Sequence, residues 1–235
     1  MSRAMRILAV DTATEVCGVA LLIDGQIAVE QIISQGLTHT RTLMMSIQSL
    51  LIEAGLDLAE VDGLAVSRGP GSFTGLRIGI STVKGIATAT GKPIVGISTL
   101  AALAHQAPVT TRLICPMIDA RRGEVYWSLY ERADVGLVSL NAEQVGKIDQ
   151  VLPKLKEPCL LIGNGAQRYA TEIKAKASDK VAFAEDGLNT LRAGTLATLA
   201  LPQFESELLD DPSLFGPIYI RPSDAQPSGK MVYEG

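Results

Sequence analysis

The chain has 235 residues, with 21 basic and 25 acidic side chains, a formal net charge of −4 and 47% hydrophobic residues. This composition excludes a disordered chain, and the length suits one large domain or two small lobes. The acidic balance argues against a protein that holds nucleic acid by itself, because such binding depends on clustered lysine and arginine.

The cysteines and the N-terminus indicate a protein of a reducing compartment. Cys17, Cys115 and Cys159 include no Cys-x-x-Cys pair, so neither a disulfide framework nor a cysteine-bound zinc ion is expected. The apolar run at 7–10 is too short for a signal peptide or a membrane span. We therefore expect a cytoplasmic protein that makes no contact with a membrane.

The first half of the chain alternates between strand and helix patterns. Asp24-Gly25 predicts a tight hairpin, and Gly55 is expected to end the first helix. The predicted strands are 6–11, 17–23, 26–33, 61–67 and 93–97. The predicted helices are 43–54, 72–90 and 99–106.

The second half repeats the opening theme. Residues 113–119 form another apolar run that ends in an aspartate, followed by a turn at 120–123 and a returning strand over 124–130. This repeat predicts two related lobes, 1–106 and 107–235, each an α/β unit with a mixed sheet and helices. The remaining predictions are helices at 142–155 and 166–176, a strand at 159–163, a helix from 191 that Pro202 breaks or kinks, and an extended surface tail over 215–235.

An aspartate at the end of the first strand has two interpretations. Sugar kinases and actin-like proteins begin in this way, with the aspartate holding a hydrated metal and the following turn binding phosphate. Here the turn after Asp11 lacks glycine, and Glu15 places a negative charge where phosphate would lie. The alternative is an aspartate that caps its own turn.

The glycine-rich stretch 67–79 also has two interpretations. Gly69 and Gly71 allow an unusual backbone path, and Ser72 can cap the next helix, whose N-terminus could bind an anion. Gly75 and Gly79 lie four residues apart inside that helix, where each costs about 1 kcal/mol relative to alanine. Either the chain itself or a partner helix is therefore expected to pack closely there.

No catalytic or metal-binding set can be assembled from the sequence. His39 and His105 are the only histidines, and Leu43 and Val109 occupy the positions four residues after them, so a His-x-x-x-His pair is impossible. No Ser-His-Asp set or pair of carboxylates fits a catalytic arrangement either. We predict that the chain has no catalytic residue and no metal site.

Several motifs together resemble the TsaB (YeaZ) family over essentially the whole chain. They are ILAVDTAT, CGVALL, GLTHTRTLM, SRGPGSFTGLRIG, PMIDARRGEVYWSLYE and GPIYIRP. The resemblance implies a bacterial protein with a two-lobed, actin-like ATPase fold built from ribonuclease H-like lobes. It also implies a non-catalytic role in making threonylcarbamoyladenosine beside the anticodon of tRNAs that read codons beginning with A.

The resemblance further implies a set of partners. TsaD, a paralogue that carries the metal and the transfer chemistry, would form a heterodimer with this chain, the ATPase TsaE would join them, and tRNA would be met through the complex. The paralogue's metal-binding histidine pair falls in the first helix, where this chain has His39 but Leu43 in place of the second histidine. Alone, the chain is expected to form a homodimer through the same surface.

Two helices of the first lobe would supply that surface. The residues assigned to it are His39, Leu43, Met44, Ile47, Leu51, Gly75, Arg77, Ile78, Gly79 and Thr82. We expect no cofactor bound tightly by the chain itself, with ATP or ADP at the interface with TsaD. The residues assigned to that nucleotide are Asp11, Thr12, Arg68, Gly69, Gly71, Ser72 and Thr74.

Three classes of function remain open to test. The first is the scaffold that supports a catalytic paralogue, which the resemblance favours. The second is a kinase or ATPase of the same fold, which requires tight binding of ATP and Mg²⁺. The third is a glycoprotease-like peptidase, for which the sequence offers neither a metal-binding pair nor a nucleophile with its base.

Overall fold

The computed structural model describes residues 4–33, 39–134, 136–155 and 157–221 of the chain. The strands in these ranges are β1 (Arg6–Asp11), β2 (Cys17–Ile23), β3 (Gln26–Ile33), β4 (Gly63–Gly69), β5 (Ile94–Ser98), β6 (Leu113–Asp119), β7 (Glu124–Trp127), β8 (Tyr130–Ala133), β9 (Gly136–Ser139), β10 (Gln144–Lys147), β11 (Cys159–Ile162) and β12 (Val181–Phe183). The α-helices are α1 (His39–Glu53), α2 (Phe73–Thr90), α3 (Thr99–His105), α4 (Ile148–Val151), α5 (Asn164–Arg168), α6 (Ala170–Ala177) and α7 (Ala193–Glu205). The strands and helices predicted for the first half are confirmed to within a few residues.

Two mixed sheets with the same strand order form the framework. The first sheet has the order β3-β2-β1-β4-β5, with β1 antiparallel to β2 and parallel to β4. The second has seven strands: five follow the equivalent order β10-β7-β6-β11-β12, with β6 antiparallel to β7 and parallel to β11, and the antiparallel pair β8 and β9 is added where β8 pairs with β6. The predicted repeat is therefore confirmed, and the pair of ribonuclease H-like lobes gives the two-lobed, actin-like α/β fold expected from the sequence.

Alternate residues of β1 face two different hydrophobic cores. Leu8 and Val10 join a cluster under α1 and α2, whereas Ile7 and Ala9 join a central cluster that contains residues of α3 and α7. A third cluster lies beneath α4, α5 and α6 on the second sheet. Helices thus cover both faces of the first sheet, and this explains why β1 is a continuous apolar run rather than an alternating one.

The second half differs from its predictions in several places. Strands β8, β9 and β12 were not predicted, and the strand predicted over 124–130 ends at Trp127. The helix predicted at 142–155 is wrong: β10 occupies 144–147, because Val145 pairs with Tyr126 of β7, and only α4 and a short 3-10 turn at 152–154 are helical. Of the break or kink predicted at Pro202, the break does not occur, since α7 continues through Pro202 to Glu205. A proline this close to a helix C-terminus removes one hydrogen bond near the frayed end.

The chain after residue 193 returns to the first lobe. Helix α7 contacts β1, β2, β4 and β5, and Asp210 forms an antiparallel bridge to Ile94 on the edge strand β5. The assignment of all residues after 106 to the second lobe is therefore wrong for α7 and for the segment 210–218, whereas Arg221 does bind the second lobe. The apolar face of the first sheet that α1 and α2 leave open is covered by these later residues, which a division by sequence position cannot reveal.

The C-terminal segment is anchored as far as the description reaches. Phe215 is buried among residues of the first lobe, so the predicted surface tail is attached to the body at that point. The rest of the predicted tail, residues 222–235, lies outside the described residues. Within the described ranges, none of the helices has both the length and the apolar character needed to cross a membrane.

Candidate functional site

A cleft of about 680 Å³ separates the two lobes at the ends of their first strands. The turn after β1 and the start of α2 form one wall, and the β6–β7 turn with Asn164 forms the other. Tyr219 and Arg221 from the C-terminal segment close one side. Both predicted strand-end aspartates belong to this region, but only Asp119 lines the cleft.

Asp11 is sealed inside the first lobe. Its side chain is fully buried, and its Oδ1 accepts a hydrogen bond from the N–H of Ala13 at 3.0 Å. Its Oδ2 is buried with no hydrogen-bond partner among the described residues. Burial raises the pKa of Asp11 to about 6, against the lowering effect of the Ser67 hydroxyl and the Ala13 and Thr12 N–H groups. Of the two interpretations, the geometry is that of an aspartate capping its own turn.

Helix α2 presses directly against that turn. The hydroxyl of Thr12 donates to the carbonyl oxygen of Gly75 at 2.8 Å. A Cβ at Gly75 would lie 2.0 Å from the carbonyl oxygen of Thr12, and one at Gly79 would lie 2.3 Å from the Thr12 hydroxyl oxygen. The close packing predicted at these glycines occurs inside the chain, so their assignment to a partner interface is wrong.

The glycine-rich loop before α2 is engaged with the body of the protein. Arg68 pairs with Asp210 at 2.9 Å and donates from Nε to the carbonyl oxygen of Gly216 at 3.1 Å. Gly69 has a φ of 113°, and a Cβ there would lie 2.7 Å from the carbonyl oxygen of Ile218. Ser72 caps α2 by accepting a hydrogen bond from the N–H of Gly75 at 3.2 Å, as the sequence predicts.

The residues assigned to a nucleotide therefore divide into two groups. Gly71, Ser72 and Thr74 line the interlobe cleft. The other four point elsewhere or are sealed: Asp11, Thr12, Arg68 and Gly69. A ligand in the cleft would meet the start of α2 and residues 13–15 of the β1–β2 turn, but not Asp11, Thr12, Arg68 or Gly69, which corrects the predicted set for those four residues.

The β6–β7 turn carries the functional groups that the sequence did not single out. Arg121 and Arg122 adopt left-handed φ values of 63° and 55°, and Asp119 stabilises the turn by accepting the Arg121 N–H at 3.0 Å. The Tyr169 hydroxyl donates to Asp119 at 3.2 Å. Across the cleft, the Arg121 guanidinium pairs with Glu15 at 2.7 Å. The repeated strand–aspartate–turn pattern was the only sequence signal for this arrangement.

A second candidate surface lies on the outer faces of α1 and α2, which contact each other over the first sheet. Leu43, Ile47 and Leu51 are buried against that sheet, so their assignment to a partner surface is wrong. The helical period predicted one apolar face correctly, but that face packs on the chain's own core. The side chain of His39 lies outside the described residues.

The assigned residues that do reach this surface are Met44, Arg77, Ile78 and Thr82. Residues 74, 77, 78, 81 and 82 of α2, with Phe73, line a groove of about 400 Å³. The predicted surface did not include Met45 and Ile52, which are 63% and 74% exposed on α1. We define the outer helix face as the exposed residues Met44, Met45, Ile52 and Arg77 together with the half-buried Ile78 and Thr82.

The remaining titratable groups offer little reactive chemistry. Burial raises the pKa of the Cys17 thiol to about 11 and that of Cys159 to about 12. Burial and the nearby Arg132 lower the pKa of His105. Within the described ranges, no group of three or more His, Cys, Asp or Glu residues is placed to hold a metal ion.

Comparisons with known proteins give consistent matches. A family model described as "TsaD: tRNA N6-adenosine threonylcarbamoyltransferase" matches residues 28–227. A Bacillus subtilis protein named "tRNA threonylcarbamoyladenosine biosynthesis protein TsaB" is 31% identical over 225 residues, which cover 94% of this chain and 96% of that protein. The Escherichia coli protein of the same name is 43% identical over 136 residues, which cover 57% of this chain and 58% of that protein. Among solved structures, YeaZ from Pseudomonas aeruginosa is 31% identical with a TM-score of 0.80, covering 92% of this chain and 99% of that one.

Proposed function

The chain belongs to the TsaB family of tRNA threonylcarbamoyladenosine biosynthesis proteins, and from this premise we propose that it is a cytoplasmic, non-catalytic subunit that supports a TsaD paralogue. The two proteins would form a heterodimer through the outer helix face. TsaE would join this pair, and tRNA would be bound through the complex. The outer helix face is the single observation that carries the proposal.

The outer helix face exposes three large apolar side chains on α1. Met44, Met45 and Ile52 are 48%, 63% and 74% exposed, and they lie on a helix adjacent to α2. Exposed apolar patches on helices favour protein–protein contact because burying them removes apolar area from water. Methionine suits such a surface, since its flexible side chain adapts to a partner's shape.

A paralogous partner suits this surface. The family model described for TsaD extends over residues 28–227, a range that includes both helices of the outer helix face. Two chains built alike can pack equivalent helix pairs across a pseudo-twofold axis. The same geometry would allow a homodimer when the partner is absent. A nucleotide would bind beside the exposed side chains of Ser72 and Thr74.

The state of Asp11 supports the non-catalytic part of the proposal. In this fold the strand-end carboxylate would have to face the cleft to hold a hydrated metal near a phosphate. Here that carboxylate is fully buried and its Oδ1 is bound to its own turn. The transfer chemistry is therefore assigned to the paralogue.

Reconstitution of tRNA modification tests the proposal. With the TsaD paralogue and TsaE of the same genome, modification should require this chain, and the chain alone should have no transfer activity. Met45→Asp should weaken binding to the paralogue more than about tenfold, because the charge would be buried in an apolar interface.

Val109→Asp provides the matched control. Val109 is 80% exposed and lies outside the outer helix face, so its change should leave binding intact. Full modification without this chain, or equal binding by both variants, would overturn the proposal.

A second candidate function, an ATPase or kinase, is favoured by the size of the interlobe cleft, about 680 Å³. Calorimetric titration of the isolated chain with Mg-ATP separates the two functions. A flat titration removes the second candidate, whereas tight binding with turnover would favour it over the scaffold.

A further inference from the structure

The segment 210–221, which we call the C-terminal strap, is fixed to the first lobe as far as Tyr219, and its last described residue, Arg221, donates hydrogen bonds to Ala120 and Glu124 of the second lobe. Asp210 donates from its N–H to the carbonyl oxygen of Ile94 at 3.0 Å and accepts the N–H of Gly96 at 2.8 Å. Lys84 of α2 donates to the carbonyl oxygen of Phe215 at 2.9 Å, and the buried Phe215 ring lies under Arg68. These contacts give the strap a defined path that brings Tyr219 beside the first turn of α2.

At that end the strap forms a three-residue cluster with α2. The Tyr219 ring stacks on Phe73 with centroids 4.9 Å apart. The guanidinium carbon of Arg77 lies 3.9 Å from the centroid of Phe73, and Arg77 donates from Nε to the Tyr219 hydroxyl oxygen at 3.0 Å. Stacking on Phe73 fixes the plane of the Arg77 guanidinium, and the hydrogen bond from Nε fixes its rotation in that plane. These two independent contacts together orient its two terminal nitrogens.

Arg77 thus presents an oriented positive charge on the outer helix face. It lines the α2 groove, and among the described residues no carboxylate pairs with it. Helix α2 contains Arg77 and Lys84 but no acidic residue, although the whole chain has a net charge of −4. The Lys84 ammonium already binds Phe215, which leaves Arg77 as the charge that faces a partner across the groove.

We propose that Tyr219 is a positioning residue that holds Arg77 ready to bind a carboxylate of the partner protein, so that the C-terminal strap belongs to the partner-binding surface. This inference rests on the proposed function and adds the chemistry of the contact. Arginine binds carboxylates through paired N–H groups in a fixed plane, so orientation of the guanidinium before binding strengthens the complex. A second copy of the chain is less complementary, since its α2 would bring another Arg77 and no acid.

A double-mutant cycle with the TsaD paralogue tests this inference. Tyr219→Phe keeps the stacked ring but removes the hydroxyl that binds Arg77, and it should weaken binding by roughly three- to tenfold. Arg77→Ala should weaken binding by at least about tenfold. If Tyr219 acts through Arg77, adding Tyr219→Phe to Arg77→Ala should change the affinity no further.

The charge of the partner group needs its own variant. Arg77→Glu should bind more weakly than Arg77→Ala, because a partner carboxylate would then be repelled. Equal affinities for these two variants would overturn the acidic contact. Leu214→Ala, at a strap residue that is 83% exposed, is the matched control and should bind like the wild type.

The two levels of the proposal fail in different ways. If the wild-type chain does not bind the paralogue, the proposed function fails. If it binds and the Tyr219 and Arg77 variants bind equally well, only the present inference fails. Sedimentation of the chain alone is the last measurement. If the Tyr219 and Arg77 variants lose self-association but bind the paralogue normally, the contact belongs to a second copy of the chain, and the inference about the paralogue is overturned.

Discussion

The two lobes end their equivalent first strands in an aspartate, but the two carboxylates have opposite surroundings. Asp11 of the first lobe is fully buried, with one oxygen bound to its own turn and the other without a described partner. Asp119 of the second lobe borders the interlobe cleft and contacts the Arg121 N–H and the Tyr169 hydroxyl. The same topology thus produces one strand-end aspartate that is buried, Asp11, and one that borders the cleft and accepts hydrogen bonds, Asp119.

The difference arises from what packs against each turn. In the first lobe, two helix glycines let α2 approach Thr12 so closely that the turn is closed off. In the second lobe, left-handed Arg121 and Arg122 carry the backbone outward into the cleft. Duplication of a fold therefore preserves strand order, while local backbone approach decides whether the strand-end residue reaches solvent.

The largest expected effect comes from blocking the close approach in the first lobe. Gly75→Ala places a methyl group 2.0 Å from the carbonyl oxygen of Thr12 and should lower the free energy of unfolding by more than about 3 kcal/mol. Chemical unfolding measures it. Gly165→Ala, whose Cβ would lie 2.9 Å from backbone atoms of Met117 and Ile118 in β6, should have a smaller effect.

Gly85→Ala is the control within α2. Its Cβ would meet no atom within 4 Å, so the variant should gain up to about 1 kcal/mol from helix propensity. Equal losses at Gly75 and Gly165 would contradict the claim that the first lobe is the more tightly closed.

Removing the charge from the sealed acid should have the next largest effect. The folded pKa of Asp11, about 6, lies above its ordinary value of 3.8, so the folded state binds the proton more tightly. The free energy of unfolding should therefore rise as the pH falls from about 7 towards 4, by up to about 3 kcal/mol at 1.36 kcal/mol per pKa unit. Asp11→Asn should remove this part of the pH dependence.

Urea unfolding between pH 4 and 8 provides the measurement. Thr12→Ser keeps the hydroxyl beside Gly75 and should retain the wild-type slope. An unchanged slope in Asp11→Asn would mean that other groups cause the pH dependence, and the contrast with Asp119 would lose its electrostatic basis.

The smallest effect is expected where Asp119 loses one of the side chains that bind its carboxylate, Tyr169 or Arg168. Tyr169→Phe removes a 3.2 Å hydrogen bond to the carboxylate and should lower the free energy of unfolding by about 1 kcal/mol. Arg168→Gln breaks only an ion pair at 3.5 Å with a guanidinium that is 57% exposed, so it should lower stability less. The reverse order would show that the charge of Arg168 matters more than the hydroxyl.

Local sequence patterns predicted much of the fold because they reflect local physics. The apolar run of β1 and the Asp24-Gly25 hairpin were readable directly, and α2 ends at Thr90 as predicted, followed by Gly91 with a φ of 70°. The period of α1 identified Leu43 and Ile47 as one face. The period could not show what packs against that face, because periodicity describes the side chains of a single helix and carries no information on the elements beside it.

The contacts of the candidate site could not be predicted for the same reason. Glu15 and Arg121 are 106 residues apart, and Arg77 and Tyr219 are 142 apart. A single sequence holds no signal for such pairs of exposed residues. The closeness at Gly75 was predicted, since an interior helix glycine needs a packing reason, but the choice between an internal turn and a partner helix required the three-dimensional arrangement.

The position of α7 has a consequence for how the protein is made. A ribosome releases β1, β2, β4 and β5 long before residues 193–205, yet those later residues cover the inner face of the first sheet. Until α7 has been synthesised, the first sheet therefore exposes apolar surface, and its folding depends on contacts between residues far apart in sequence. A fragment ending near residue 106 would lack α7, which covers this face of the sheet, and should aggregate rather than fold.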